Sequence, residues 1–120
     1  MAKEVTQRSL RCIEWTVESL DATINSETFT FQDRKCYFLY RRVGGNANLR
    51  FNANADLELP VTVTLRVILD AFEVICLQAK KISCANLDIW EHPISEMGRV
   101  SFLTFQLIFH AASGEFSKLF

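Results

Sequence analysis

The sequence contains little glycine, little proline and almost no net charge. Its 120 residues include four glycines and two prolines, which excludes collagen-like and low-complexity chains. A formal net charge of -1 argues against nucleic acid as a partner, because binding to it depends largely on neutralising phosphates. No stretch reaches the roughly 20 apolar residues of a membrane helix, and the start Met1-Ala-Lys-Glu-Val lacks the apolar run of a secretory signal. We therefore expect a soluble intracellular protein, cytoplasmic or nuclear, with no membrane association.

The sequence also lacks a recognisable catalytic or metal-binding motif. Cys12, Cys36, Cys76 and Cys84 contain no C-x-x-C pair, so no zinc site is predicted and reduced, buried thiols are expected. Cys84 and His92 are close in sequence, but no motif joins them as nucleophile and base, and Cys84 is expected to be a small buried hydrophobe. Acidic residues occur singly, without the spacing of an acid and base pair. These features predict a protein that is not an enzyme and needs no cofactor.

The residues that are abundant predict a packed, sheet-rich core. Hydrophobic residues make up 49% of the chain and aromatic residues 12%, with ten phenylalanines. Aromatic and β-branched residues favour strands, and a chain of this length can bury a core without disulfides. The patterning extends over residues 1–110, which we interpret as a single globular domain. It is lost at residues 111–120, which are predicted to be a tail or the start of a linker.

Two segments alternate with the period of two that is typical of strands. Residues 61–69 place five aliphatic side chains on one side and Thr62, Thr64 and Arg66 on the other, so one face is predicted to be core. Residues 100–110 alternate in the same way, but both of their faces are largely apolar. That pattern predicts a strand covered on two sides.

Weaker patterns predict the remaining strands. Residues 9–20 are interpreted as a first strand, with Ile13, Trp15 and Val17 on one face. Residues 29–42 are predicted to form a hairpin with its turn at residues 32–35. Val43-Gly-Gly-Asn46 is a strong turn signal because glycine and asparagine tolerate positive φ. The asparagine-rich residues 48–56 are predicted to be an edge strand or an extended connection.

Residues 68–81 fit two structures equally well. Apolar residues there form a helical stripe with acidic residues early and lysines late, as the helix dipole prefers. The same residues also suit two strands joined at residues 69–72. The first option gives an α+β fold, with one helix near residues 69–81 packed on an antiparallel sheet, whereas the second gives an all-β fold.

Several short segments occur in an order that is similar to one known family. They are Ile13-Glu-Trp-Thr-Val17, Ser26-Glu-Thr-Phe29, Lys35-Cys-Tyr-Phe-Leu-Tyr40, Val61-Thr-Val-Thr-Leu-Arg-Val67, Gln78-Ala-Lys-Lys-Ile-Ser-Cys-Ala-Asn86 and Leu103-Thr-Phe-Gln-Leu-Ile-Phe109. In this order they resemble the landmarks of a MATH domain (meprin and TRAF homology), particularly the version in speckle-type POZ proteins. The resemblance covers nearly the whole chain.

The resemblance implies an antiparallel β-sandwich of about seven or eight strands, which binds a short extended peptide of a partner protein across one sheet. In the ubiquitin-ligase members of the family, such binding delivers the partner for ubiquitination. The family's groove uses an aromatic residue in the strand that corresponds to residues 78–86, where this chain has Lys81. It also uses a long aromatic segment before the last strands, of which Trp90 is the counterpart here. Lys81 and Trp90 are therefore the candidate peptide-binding residues.

Two rival functions stay open at this stage. The α+β reading suits a small self-assembling or adaptor protein of viral type, which would form a homo-oligomer. Residues 34–42 interleave basic and aromatic side chains, and Tyr37, Phe38 and Tyr40 could stack on single-stranded RNA. The net charge disfavours the RNA hypothesis.

Overall fold

The computed structural model describes residues 3–6 and 10–110, with side chains described from Cys12 onward. These residues form ten strands, a short 3-10 helix and no α-helix. The strands are β1 (Lys3–Thr6), β2 (Leu10–Val17), β3 (Ile24–Asn25), β4 (Phe29–Phe31), β5 (Arg34–Val43), β6 (Asn46–Ala53), β7 (Val61–Leu69), β8 (Glu73–Ile82), β9 (Asn86–Pro93) and β10 (Leu103–His110). The 3-10 helix spans Ile94–Glu96. The predicted tail at residues 111–120 lies outside the described residues.

The strands form two antiparallel sheets that pack face to face. The first sheet has the order β1-β2-β10-β7-β8, and the second has the order β3-β5-β6-β9, with β4 also paired to β5. The all-β antiparallel sandwich is therefore confirmed. The strand number exceeds the expected seven or eight because three short strands, β1, β3 and β4, add to the seven longer ones.

The α+β alternative, with a helix near residues 69–81, is wrong. A tight hairpin joins β7 to β8, since Asp70 and Ala71 adopt φ angles of 48° and 73° and the N–H of Phe72 donates to the carbonyl of Leu69. Positive φ at both central residues is the mark of a type I′ turn, whose twist matches paired strands. The carboxylate of Asp70 also accepts hydrogen bonds from the backbone N–H of Ser101 at 2.8 Å and Phe102 at 3.1 Å.

The helical stripe of residues 68–81 arises from an irregularity in this hairpin. Val67 pairs with Cys76 and Ile68 pairs with Val74, which leaves Ile75 as an extra residue. Such a β-bulge shifts the alternation of side chains by one position. The shifted apolar spacing imitates the period of a helix, so a reading of period alone cannot distinguish the two structures.

Aromatic rings from both sheets fill the interior. The ring of Phe105 lies 6.1 Å from Tyr40 and 5.5 Å from Trp90, which belong to the second sheet. The ring of Phe109 lies 5.1 Å from Phe31, also on the second sheet. Because β10 is the central strand of the first sheet, its rings hold the two sheets together through the middle of the domain.

The two segments with clear alternation form the central pair of the first sheet. In β7 the predicted core face is buried, and in β2 Ile13, Trp15 and Val17 are buried as expected. In β10 one face is buried, but the other face is only half-buried, at Thr104, Gln106 and Ile108. The prediction that both faces of this strand are covered is therefore wrong, because nothing among the described residues packs on the outside of the first sheet.

The expectation of an edge strand or connection at residues 48–56 is also wrong. Strand β6 lies between β5 and β9. Asn48 is buried there because its side chain is paired, accepting a hydrogen bond from Arg41 Nε at 3.2 Å and donating one to the Trp90 carbonyl at 3.4 Å. Asparagine is depleted in strands, but a buried amide is tolerated when its polar atoms are bonded.

The turn at Asp70-Ala71 gives a stability prediction. Ala71 carries a Cβ at φ 73°, which costs an L-residue more than glycine. Ala71→Gly should therefore raise the free energy of unfolding by about 1 kcal/mol, measured by urea denaturation. The matched control is Ala79→Gly within β8, which should lower it by about 0.5–1 kcal/mol. A loss of stability in both variants would contradict the type I′ turn.

Candidate peptide-binding groove

A groove of about 400 Å³ opens between β8 of the first sheet and β9 of the second. Its lining combines apolar, aromatic and charged side chains from the two strands: Ile75, Cys76, Gln78, Lys80, Asp88, Ile89, Trp90 and Glu91. Strands β8 and β9 are each the last strand of their sheet among the described residues. The groove therefore lies along the open side of the sandwich, where two strand edges face solvent.

The register of β8 explains which of its residues enter the groove. Val63, Leu65 and Val67 of β7 point into the core and pair with Lys80, Gln78 and Cys76. Paired residues project on the same side of a sheet, so these three positions of β8 face the interior side. No other strand among the described residues covers them, and they line the groove at its rim.

Trp90 forms the floor of the groove. Its side chain is only 7% exposed, and its ring meets Phe105 edge-on at 5.5 Å and stacks on His92 at 6.0 Å. A register shift between Leu49 and Arg50 places both Ile89 and Trp90 in the interior. The ring is thus fixed by the core, and only a small part of its surface is exposed at the groove. It lies within a strand, which differs from a tryptophan that merely packs a loop.

Lys81, the other candidate from the sequence, does not share this site. It pairs with Thr62, whose side chain is exposed on the outer face of the first sheet. The neighbouring Lys80 is the lysine that lines the groove. Sequence reasoning missed Lys80 and Gln78 because their direction follows from the pairing of β8 with β7. Once that hairpin is known, alternation alone identifies them.

The charges around the groove are unevenly paired. The carboxylate of Asp88 lies 3.6 Å from both Arg41 and Arg50, and Glu91 accepts a hydrogen bond from the side-chain amide of Asn46. Lys80 and Lys81, in contrast, form no ion pair with any described residue. The acids are therefore already engaged by the second sheet, whereas the positive charge of β8 is available to a ligand.

The outer side of β8 carries exposed apolar side chains. Phe72 is 83% exposed, Leu77 68% and Val74 41%. Val74 and Leu77 lie along the edge strand β8, Phe72 lies in the turn that precedes it, and Leu77 lies beside Arg66 of β7. Neighbouring exposed apolar residues at a free edge are typical of a surface that binds another chain.

A second groove of about 410 Å³ lies on the side of β2 and β3. It is lined by Trp15, Thr16, Glu18, Ile24, Asn25 and Glu27. The strand that borders it on the second sheet, β3, has only two residues. This groove therefore offers little strand edge to an extended peptide, and its charged lining residues are both acidic.

Cys84 and His92 do not form a thiol and base pair. Cys84 lies in the turn before β9, whereas His92 lies near the far end of that strand, roughly 20 Å away at the usual rise per residue. The expectation that Cys84 is buried is wrong, because the turn exposes it. Within residues 3–6 and 10–110, no three histidine, cysteine or acidic side chains are grouped so that they could hold a metal ion.

Two of the three rings required by the RNA hypothesis, Phe38 and Tyr40, are not accessible. Phe38 and Tyr40 are fully buried, and the Tyr40 hydroxyl donates to the Leu20 carbonyl at 2.7 Å. Burial, together with the nearby Asp21 carboxylate, raises the pKa of Tyr40 to about 12, although the Arg42 charge partly opposes the rise. Neither ring can stack on a base. Of the three rings only Tyr37 faces outward from β5, where it is half-buried.

Comparisons with known proteins do not assign the chain to a family. No protein-family model matches the sequence, and no curated protein matches it at a significant level. In the part of the chain that the structure describes, no helix has the length and apolar character needed to cross a membrane.

The cysteines give a direct chemical test of the groove. Burial raises the pKa of Cys76, although the Lys80 charge partly opposes the rise, so its thiolate is scarce at neutral pH. Cys84 is exposed in its turn and Cys36 is buried. Iodoacetamide at about pH 7.5 should therefore label Cys84 several-fold faster than Cys76, and Cys36 last, as followed by mass spectrometry. Cys84→Ser should remove the fast phase, whereas equal rates at Cys76 and Cys84 would contradict the burial of Cys76.

Proposed function

We propose that the chain is a non-enzymatic protein-interaction module that binds a short extended peptide of a partner along the groove between β8 and β9. The observation that carries the proposal is that two strand edges, which no described strand pairs, lie on either side of one groove. A free edge offers backbone N–H and C=O groups to an incoming strand, and alternate side chains of that strand can enter a neighbouring groove.

The resemblance to MATH domains supports the same proposal from the sequence. On this proposal the chain is a MATH domain that serves as the substrate-recognition part of a ubiquitin-ligase adaptor, acting in the cytoplasm or nucleus. Trp90 keeps the role of an aromatic groove residue at the floor, and Lys80 joins it at the rim on the β8 side. None of the four cysteines forms a disulfide, which suits a reducing compartment.

Selection from a library of displayed 12-residue peptides tests the proposal. The full chain should enrich a consensus, and Gln78→Trp should weaken the selected peptides by about tenfold because the indole fills the groove. Gln78 is exposed on an edge strand, where tryptophan is well tolerated, so the variant should keep its fold. Binding is measured by fluorescence anisotropy, with thermal unfolding as the check on folding.

The matched control places the same bulk in the second groove. Asn25→Trp is also an exposed strand position, and it should leave the affinity of the selected peptides unchanged. The absence of any enriched peptide, or an equal loss of affinity in both variants, would overturn peptide binding between β8 and β9.

A further inference from the structure

The free edge of β8 is regular only over part of its length. The bulge at Ile75 interrupts the pairing with β7, whereas residues 76–82 pair with β7 without a shift. A bulge twists an edge strand and blocks the addition of another strand at that point. A new strand can therefore add in register only beyond Ile75, along the part of β8 that carries Leu77, Lys80 and Lys81.

The side chains of this segment have a defined pattern on the outer face. Leu77, Ala79 and Lys81 pair with Arg66, Thr64 and Thr62 of β7, so all three point away from the core. Leu77 and Lys81 are four residues apart, which corresponds to about 13 Å along a strand. The segment therefore presents an aliphatic side chain and an unpaired positive charge at a fixed separation, with the small Ala79 between them.

We propose that the occupant of this edge is an acidic extended peptide that adds to β8 as an antiparallel strand. Its acidic side chain lies opposite Lys81, and an aliphatic side chain four residues later in the peptide lies opposite Leu77. The inference rests on the proposed function and specifies the peptide and how it binds. The antiparallel direction follows the pairing of every strand in both sheets, and it is the more stable direction per residue.

Charge complementarity selects an acidic peptide and not a second copy of this chain. If residues 76–82 of two copies paired in the antiparallel direction, Lys81 of each copy would lie opposite Leu77 of the other, and the short ladder would hold four lysines with no carboxylate to compensate them. Like charges across a strand pair are destabilising, and lysines at free edges are a common protection against such pairing. A carboxylate opposite Lys81 meets the opposite charge, while Lys80 faces the groove beside it.

Fluorescence anisotropy with the full chain and a designed peptide tests this inference. The probe is Thr-Glu-Thr-Ser-Val-Leu-Thr, labelled with fluorescein at its N-terminus and amidated at its C-terminus, in which Glu and Leu are four residues apart. Lys81→Glu should weaken binding by about tenfold, because an attractive cross-strand pair becomes a repulsive one. A second peptide with Lys in place of Glu should show the reverse preference, binding Lys81→Glu better than the unaltered chain.

The control for net charge is Lys35→Glu, which makes the same change at an exposed position of β5 in the second sheet. It should leave both affinities unchanged. Deleting the Ser of the probe places Glu and Leu on opposite faces of the strand and should also weaken binding by about tenfold. Equal effects of Lys35→Glu and Lys81→Glu would overturn the assigned position of the acidic residue.

Methylation of peptide nitrogens tests strand addition itself. An edge ladder uses the N–H groups of alternate peptide residues, so methylating the third and fifth nitrogens, or the fourth and sixth, should abolish binding in only one of the two peptides. Equal binding of the two methylated peptides would overturn the antiparallel ladder.

Failure of this inference can be distinguished from failure of the proposed function. Suppose that library peptides bind and respond to Gln78→Trp, but Lys81→Glu does not reverse the preference between the designed Glu and Lys peptides. The edge-addition mode is then overturned and the groove stands. If no peptide binds the unaltered chain, both are overturned. A dimer in sedimentation experiments that Leu77→Asp dissociates would show that a second copy occupies the edge, and it would overturn the acidic peptide.

Discussion

The contact between aromatic rings of the two sheets is the constraint on which the rest of this structure depends. Phe105 and Phe109 of β10 reach across the interior to rings of the second sheet, including Tyr40 and Trp90. Large rings in face-to-face sheets fix the spacing of the layers, and they bury much apolar area at the centre of each sheet. The rings join β10, at the centre of the first sheet, to the second sheet, whereas the edge strand β8 contributes no ring to this contact, and a groove lies between β8 and β9.

This arrangement divides the roles of the two sides of β8. The inner side shares the groove with Trp90, whose position is set by the core, so the floor of the site is rigid. The outer side carries Leu77 and Lys81, which no described residue covers. An edge with exposed aliphatic side chains favours strand addition, whereas its lysines disfavour pairing with an identical edge. The same two features therefore make the edge receptive to a chain of opposite charge and resistant to self-association.

Much of the fold could be predicted from local patterns, but the site could not. The alternation in residues 61–69 and 100–110 identifies the central strands and their core faces, because one buried face is enough to produce a period of two. β8 could not be predicted because the extra residue Ile75 interrupts its alternation. The central position of β6 could not be predicted because the burial of Asn48 depends on hydrogen bonds to other strands. Trp90 could be proposed from sequence, but Lys80 enters the groove only because edges of two different sheets lie side by side, which is a non-local property.

Amide hydrogen exchange of the free protein, followed by NMR, tests the central claim most directly. If the rings hold two sheets together and β8 is a free edge, the amides of β7 and β10 should exchange slowly, while the amides of β8 should alternate between slow and fast along residues 76–82. Uniform protection along β8 would mean that another segment covers the edge, and uniformly fast exchange in β7 and β10 would mean that the rings do not join the sheets. Either result would contradict the account.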